Sequence, residues 1–310
     1  MDLGTDTLIG TEPAHGLIAY AEATDMGTGA GQFRVRLTCA IHPDAGAGVL
    51  STMLDWLTGR AGQMRAERHP ELAGVVSVRC AAADLARRTA LAAAGFEVDH
   101  WHLELTRDTA GPVPGQPVPG QPAGAVTVIP YDARYSEAAR LAQNDAFADE
   151  PHGRLLDAGV WPLYAVGLAA FLPSASFLAL DAATSPATSP APSPAPSPAA
   201  DSAADPAPSP AADSGQQVVA FLLSLNQGGQ GGPGGDRTAT VVSLGTRGGW
   251  RGRGLATDLI GHALAAYRQA GFSTARLEVC SHNATAVTLY NKLGFAPGDR
   301  GYAIFQRSRL

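Results

Sequence analysis

The run Arg251-Gly252-Arg253-Gly254 stands between an apolar stretch and an amphipathic one, a placement that suits binding of a diphosphate. A loop that ends at a helix N-terminus presents unpaired backbone N–H groups and the positive end of the helix dipole, and glycines let that backbone approach an anion closely. Arg251 and Arg253 add two guanidinium forks at the same place, and Leu255 and Ala256 open the helix. A Walker loop would need Gly-Lys followed by Ser or Thr, and a dinucleotide fingerprint would need a third glycine where Thr257 stands. Taken alone, the loop also fits a tight strand-to-helix turn with solvated arginines, so other residues have to decide.

The loop follows Thr240-Val-Val-Ser-Leu-Gly-Thr246, which reads as a strand, and precedes Leu255, Leu259, Ile260, Ala263, Leu264 and Tyr267 at helical spacing, ending near Gly271. Upstream, strands are expected at 126–129, 176–180 and 217–225, with helices around 136–148 and 154–170. Downstream come a strand at 275–279, a helix at about 283–293 and a last strand near 302–306. Residues 182–215 repeat Ser-Pro-Ala units and 227–236 are Gly-rich. Both are expected to be disordered insertions in hairpin connections, where added length costs little closure entropy. The expected architecture is an α/β mixed sheet, mostly antiparallel, flanked by helices.

A second spaced set follows the Leu277-Glu278-Val279 strand: Asn283, Ala286, Leu289, Tyr290 and Gly294-Phe295. With Arg251, Gly254 and Ala256, the chain from 125 to 310 resembles the GCN5-related N-acetyltransferase (GNAT) superfamily. Its cofactor motif is Arg/Gln-x-x-Gly-x-Gly/Ala, and its later segment is Asn-x-x-Ala-x-x-Leu-Tyr-x-x-x-Gly-Phe. The resemblance implies an acyltransferase using acetyl-CoA as co-substrate, with the pantetheine arm along Leu244, Gly245 and Thr246. It also implies the diphosphate on Arg251 to Ala256 and a further cofactor contact at Asn283. Tyr290 would be the general acid for the leaving thiolate, a role typically worth ~10² to 10⁴ in rate. The alternatives are an ordinary packed aromatic for Tyr290 and a helix N-cap for Asn283.

The implied reaction is direct attack by a primary amine of a small metabolite; acetylation of an antibiotic, a peptide or a protein amine, or acyl-CoA binding without turnover, are the alternatives. A base is harder to find, because the fourth strand offers Thr240 and Ser243 and no carboxylate. Glu278 is one candidate. Asp149, Glu150 and His152 are others, and could equally orient a cationic acceptor.

Residues 1–108 look like a worn, truncated copy of the same domain, joined through a Pro/Gly linker at 109–124 to the catalytic domain at 125–310. An alternating strand at 33–41 leads to Gly46-Ala47-Gly48 and a helix from Val49 to Leu57, and the segment closes on Gly95-Phe96. Counting back from each Gly-Phe places Leu91 where Tyr290 stands and Asp84 where Asn283 stands, and the loop lacks both arginines. Two such halves resemble the mycothiol synthase-like proteins in architecture.

Composition narrows the partners. Among 310 residues the formal net charge is −6, which disfavours general binding to nucleic acid or anionic membrane. The three cysteines, Cys39, Cys80 and Cys280, have no metal-site or disulfide spacing, and no stretch is apolar enough to span a bilayer. The expectation is a cytoplasmic monomer or homodimer with no metal.

Overall fold

A computed structural model describes residues 2, 4–13, 16–29, 31–46, 48–112, 126–150, 155–181, 216–227 and 237–308. Most of the expected linker, the insertion at 182–215, all but Gln227 of the insertion at 227–236, and His152 lie outside the described residues. In chain order the elements are β1 (Thr7–Glu12), β2 (Gly16–Gly29), β3 (Gln32–Ile41), α1 (Val49–Arg68), β4 (Ala73–Ala81), α2 (Leu85–Ala93) and β5 (Glu97–Asp108). There follow β6 (Val126–Pro130), α3 (Ser136–Ala146), β7 (Phe177–Asp181), β8 (Gln217–Asn226), β9 (Thr238–Thr246), α4 (Leu255–Gln269), β10 (Thr274–Cys280), α5 (Ala284–Lys292), β11 (Ala296–Pro297) and β12 (Tyr302–Ser308).

The chain divides into two compact units that do not follow sequence order. One comprises Met1–Leu105, Glu278–Thr288 and Ala296–Leu310; the other comprises Thr106–Leu277 and Leu289–Phe295. In the first unit the strands run β1-β2-β3-β4-β12-β5, all neighbours antiparallel except β3 and β4. The C-terminal strand is thus hydrogen-bonded on both sides by strands of the N-terminal half, with Ala303 opposite Cys80 and Trp101. In the second unit the order is β10-β9-β8-β7-β6, again antiparallel except for one parallel pair, β9 and β10. Both parallel pairs are strand-helix-strand crossovers, β3-α1-β4 and β9-α4-β10. The two units share this plan.

Burial follows from how many faces are covered. On β3, Phe33, Val35, Leu37 and Cys39 are buried against Met53, Leu54, Leu57, Ala61 and Met64 of α1, while the intervening Arg34, Arg36 and Thr38 face the uncovered side. That alternation marks a sheet with helices on one side only. On β8 every residue from Val218 to Leu225 is buried. There α3 packs through Ala139, Ala142 and Ala146 against Val218, Phe221 and Leu223. Tyr267 of α4 meets Ser224, whose side chain points the other way, at 2.6 Å. Upstream of α1 the first unit has three strands, and among the described residues no helix.

One expected element does not form. Of the stretch at 154–170, the described residues, 155–170, hold only a single π turn, Pro162–Val166, with irregular backbone before it. Gly159, Pro162 and Gly167 interrupt the apolar period there, and the Pro162 ring and missing N–H break helical continuity.

Candidate active site

The site is built on β9. In its pairing with β8, Ser243 lies opposite Leu223 and Val241 opposite Ser224, so Val242 is an extra, bulged residue. On the other edge, parallel pairing with β10 runs from Thr238↔Thr274 to Val241↔Leu277 and ends there. Leu244, Gly245 and Thr246 therefore stay in register with Leu222, Phe221 and Ala220 on one edge, beyond the last β10 pair on the other. A strand edge released in this way can hydrogen-bond an extended ligand. Gly245 is dictated by packing: a Cβ there would come within 2.6 Å of the Phe221 ring and 2.9 Å of the Ala146 Cβ.

At the end of β9 the chain turns through Gly248–Trp250 into the glycine loop. Gly252 and Gly254 have φ of +77° and +82°, a left-handed region that favours glycine, and Gly254 is the N-cap of α4. Among the described residues the amides from Gly252 to Thr257 donate to no backbone acceptor; the first capping bond is Asp258 N–H to the Gly254 carbonyl, 3.1 Å. Consecutive unpaired amides at the positive end of a helix form an anion cradle.

The two arginines have structural partners as well. Arg251 Nη2 donates to the Ala146 carbonyl at 2.9 Å, capping the C-terminus of α3, and Nη1 lies 3.6 Å from Asp149 Oδ2. Arg253 lies over the Trp250 ring, 4.4 Å from its centroid, and donates to the Gly249 carbonyl at 3.2 Å. Arg247, which the motif reading passes over, donates to the Val218 carbonyl at 2.7 Å and pairs with Asp145 at 3.3 Å. The sequence signal for it is weak: one more arginine beside two glycines.

Tyr290 on α5 is 8% exposed, and its ring meets Phe295 edge-on at 6.0 Å between centroids. Burial pushes its hydroxyl pKa up to about 12. Among the described residues no group hydrogen-bonds its hydroxyl, which leaves the O–H available to a ligand atom. Asn283 accepts from the Ala286 amide at 2.9 Å, so it does cap α5. Of the candidate bases, Glu278 lies 3.5 Å from Arg79 within the first unit. Asp149 is drawn to Arg251, and Glu150 follows it at the end of the α3 segment. Tyr164 and Gln143 were not anticipated: Ser243 Oγ donates to Gln143 Oε1 at 2.6 Å, and the Tyr164 hydroxyl lies 3.5 Å from the Val242 carbonyl. Neither follows a sequence motif, since both depend on how α3 and the turn after it return to β9. Among the described residues no three His, Cys, Asp or Glu side chains gather as a metal site.

The corresponding place in the first unit has another geometry. Gly48, the N-cap of α1, has φ −83° in place of the left-handed turn, and the Arg87 guanidinium donates to the Cys39 carbonyl on β3 at 3.2 Å. Leu91 is fully buried at the position of Tyr290.

Residues 178–295, which span β7 to the end of α5, match the acetyltransferase (GNAT) family model. This segment is a GNAT domain. The match of this segment supports an acyltransferase, and the segment lies in a mixed, mostly antiparallel sheet. Among solved structures it is similar to a GCN5-related N-acetyltransferase from Sphaerobacter thermophilus, with 18% identity, TM-score 0.65, all of this chain and 83% of the other covered. It is also similar to the tandem GNAT protein from the clavulanic acid biosynthesis pathway, with 11% identity, TM-score 0.56, and 98% and 83% covered. A third likeness is to the glucosamine N-acetyltransferase region of a fungal multi-domain β-N-acetylglucosaminidase, with 13% identity, TM-score 0.61, and 97% and 33% covered. No curated protein matches the sequence significantly. Among the described residues no helix is long and apolar enough to cross a membrane.

Proposed function

We propose that the second unit transfers an acetyl group from acetyl-CoA to a primary amine of a small molecule, and that the first unit is a non-catalytic companion. The observation that carries this reading is the succession, along one stretch of chain, of a released edge at Leu244–Thr246 and the unpaired amides from Gly252 to Thr257. An extended arm that ends in a diphosphate matches that succession, and Gly252 and Gly254 leave open space where a side chain would intrude. Acetyl-CoA, when bound, supplies an activated thioester.

The chain's own residues then have separable roles. Backbone groups of Leu244 and Thr246 orient the arm, the loop amides with Arg251 and Arg253 hold the diphosphate, and Gly245 lets α3 close over the strand. Tyr290 is protonated at neutral pH, as an ordinary tyrosine is, and burial pushes its pKa further up, to about 12. It can therefore donate to the sulfur as the nitrogen–carbon bond forms and the carbon–sulfur bond breaks, while the proton shed by the attacking amine passes to water and the tyrosinate is reprotonated from water. A free thiol has a pKa of about 8.5, so this donation is effective only where the same dry surroundings make the thiolate more basic. The attacking amine must reach a near-attack distance of ~3 to 3.5 Å, which the β9 frame fixes on the donor side.

Calorimetric titration of acetyl-CoA into the intact protein and into an Arg251→Ala, Gly254→Val double variant tests the reading, with the thermal melt of each confirming that it is folded. One site, lost in the folded variant, supports it. Absence of binding to the intact protein removes it.

A further inference from the structure

Between Leu155 and Leu172 the only charged side chain is Asp157, and its Oδ1 is used within the turn, accepting from the Val160 amide at 2.8 Å. The same stretch exposes large apolar side chains: Leu163 is 74% exposed, Leu155 66% and Leu168 38%. It is fastened to β9. The Tyr164 hydroxyl lies 3.5 Å from the carbonyl of Val242, the bulged residue one step past the last β9–β10 pair. The Tyr164 ring stacks on Trp161 at 6.3 Å and 19°, and Trp161 is itself anchored by its indole N–H on Ser136 Oγ at 2.9 Å. Beneath this turn, the next residue of β9 is engaged in a neutral contact, Ser243 Oγ to Gln143 Oε1.

From these contacts we infer that the acceptor amine is carried on an apolar, aryl- or alkyl-bearing body, which lies on Leu163, Tyr164 and Leu168. The inference rests on the proposed reaction, because only if the thioester lies along the released part of β9 does a turn tethered at Val242 border the incoming amine. A polycation brought against this surface would lose hydration with Asp157 as the only carboxylate in the stretch to pair with it, and a sugar hydroxyl would lose water to leucine. An aryl or alkyl body gains by the same burial. Continuity with the strand edge and the neutrality of the turn favour this occupant over a second copy of the chain, which would cover the leucines but leave the acceptor class unexplained.

The experiment compares initial rates for 2-phenylethylamine, spermidine and glucosamine with saturating acetyl-CoA, in the wild type and in Leu163→Asp. The expected result is a kcat/KM at least ~100-fold higher for 2-phenylethylamine, the scale on which hydrophobic pockets discriminate. Leu163→Asp should raise the KM for 2-phenylethylamine about tenfold, with acetyl-CoA binding by calorimetry unchanged. Preference for spermidine or glucosamine, or indifference to Leu163→Asp, overturns the inference. A dimer in sedimentation velocity that the same substitution dissociates also overturns it, by making the patch a self-interface. Failure of the cofactor reading is distinguishable, since then acetyl-CoA does not bind and no amine is acetylated.

Discussion

Arg307, in the last strand, donates to the Ala94 carbonyl at the C-terminus of α2 at 3.1 Å, and Arg107, near the end of β5, donates to the Leu293 carbonyl just past α5. Each guanidinium also lies over the phenylalanine that follows its helix, Arg307 at 6.0 Å from the Phe96 centroid and Arg107 at 5.9 Å from that of Phe295. The two residues play the same part in different units. In each case, the capped helix comes from one half of the sequence and the capping arginine from the other.

A chain ending at Gly301 is therefore expected to lose the first unit before the second. Without β12, β4 and β5 each lose a strand partner and the core loses Ala303 and Phe305. Hydrogen exchange should show β1 to β4 unprotected while β7 to β9 keep their protection. The milder Arg307→Ala leaves one helix-end carbonyl without its charged partner and should cost about 1 to 3 kcal/mol in chemical unfolding. Equal loss of protection in both units would contradict the assignment of β12.

Much of the second unit was legible because its signals are local. Gly252 and Gly254 announce left-handed backbone, and the apolar residues of α4 repeat at helical spacing. The alternation on β3 likewise shows a sheet covered on one face. Destination was not legible: Tyr302 to Ser308 read as a strand, but nothing in their order says that they pair with Ala81 to Val75. Pairing partners are chosen by long-range packing, and a strand that fits one sheet of a duplicated fold fits the other. The Val242 bulge was hidden for a similar reason, since it exists only as a mismatch of register between β8 and β9. The turn after α3 resembles a helix in composition, but Gly159, Pro162 and Gly167 interrupt it.

Tyr290→Phe should lower kcat by about 10²-fold or more while leaving acetyl-CoA affinity nearly unchanged, if the hydroxyl acts on the leaving sulfur. The same residue makes an alkaline stability prediction with a definite sign. Its folded pKa, about 12, lies above its ordinary value of 10.0, so the unfolded chain releases the proton first. The stabilisation is intact below pH 10 and is lost as pH rises from 10 towards 12. Tyr302, also raised to about 12, adds to this slope, with burial as the leading cause. Chemical denaturation between pH 9 and 12 should show a shallower decline in Tyr290→Phe than in the wild type. Parallel declines would show that the Tyr290 hydroxyl is not held out of water.

Gly245→Ala tests the contact between α3 and β9. The added methyl meets the Phe221 ring and Ala146 at distances that no ordinary Cβ contact reaches, so one of them has to move. Overpacking of this kind typically costs about 1 to 3 kcal/mol. The melting temperature should fall and acetyl-CoA should bind more weakly, because the displaced residues flank the strand that holds its arm. Gly248→Ala is the control: it meets nothing within 4 Å. If the two variants melt alike, the close approach of α3 to β9 is not what fixes glycine at 245.

Acetyl-CoA should bind at a stoichiometry of one, and Arg87→Ala should not raise it to two. In the first unit the Arg87 guanidinium holds the Cys39 carbonyl, a backbone group on β3 beyond its last pair with β4, Leu37↔Val78. Removing the side chain frees that carbonyl but supplies no anion cradle, because Gly48 is right-handed at φ −83° and the loop before it carries no arginine. Leu91 cannot donate to sulfur. Two separate deficits thus stand between this unit and cofactor binding and a third between it and catalysis, and reversing one leaves the others. Calorimetry on the wild type and on Arg87→Ala checks this directly: one site in each is expected. A second site in the variant would mean that Arg87 alone keeps a competent slot closed, and a second site in the wild type would make the first unit a cofactor-binding lobe in its own right.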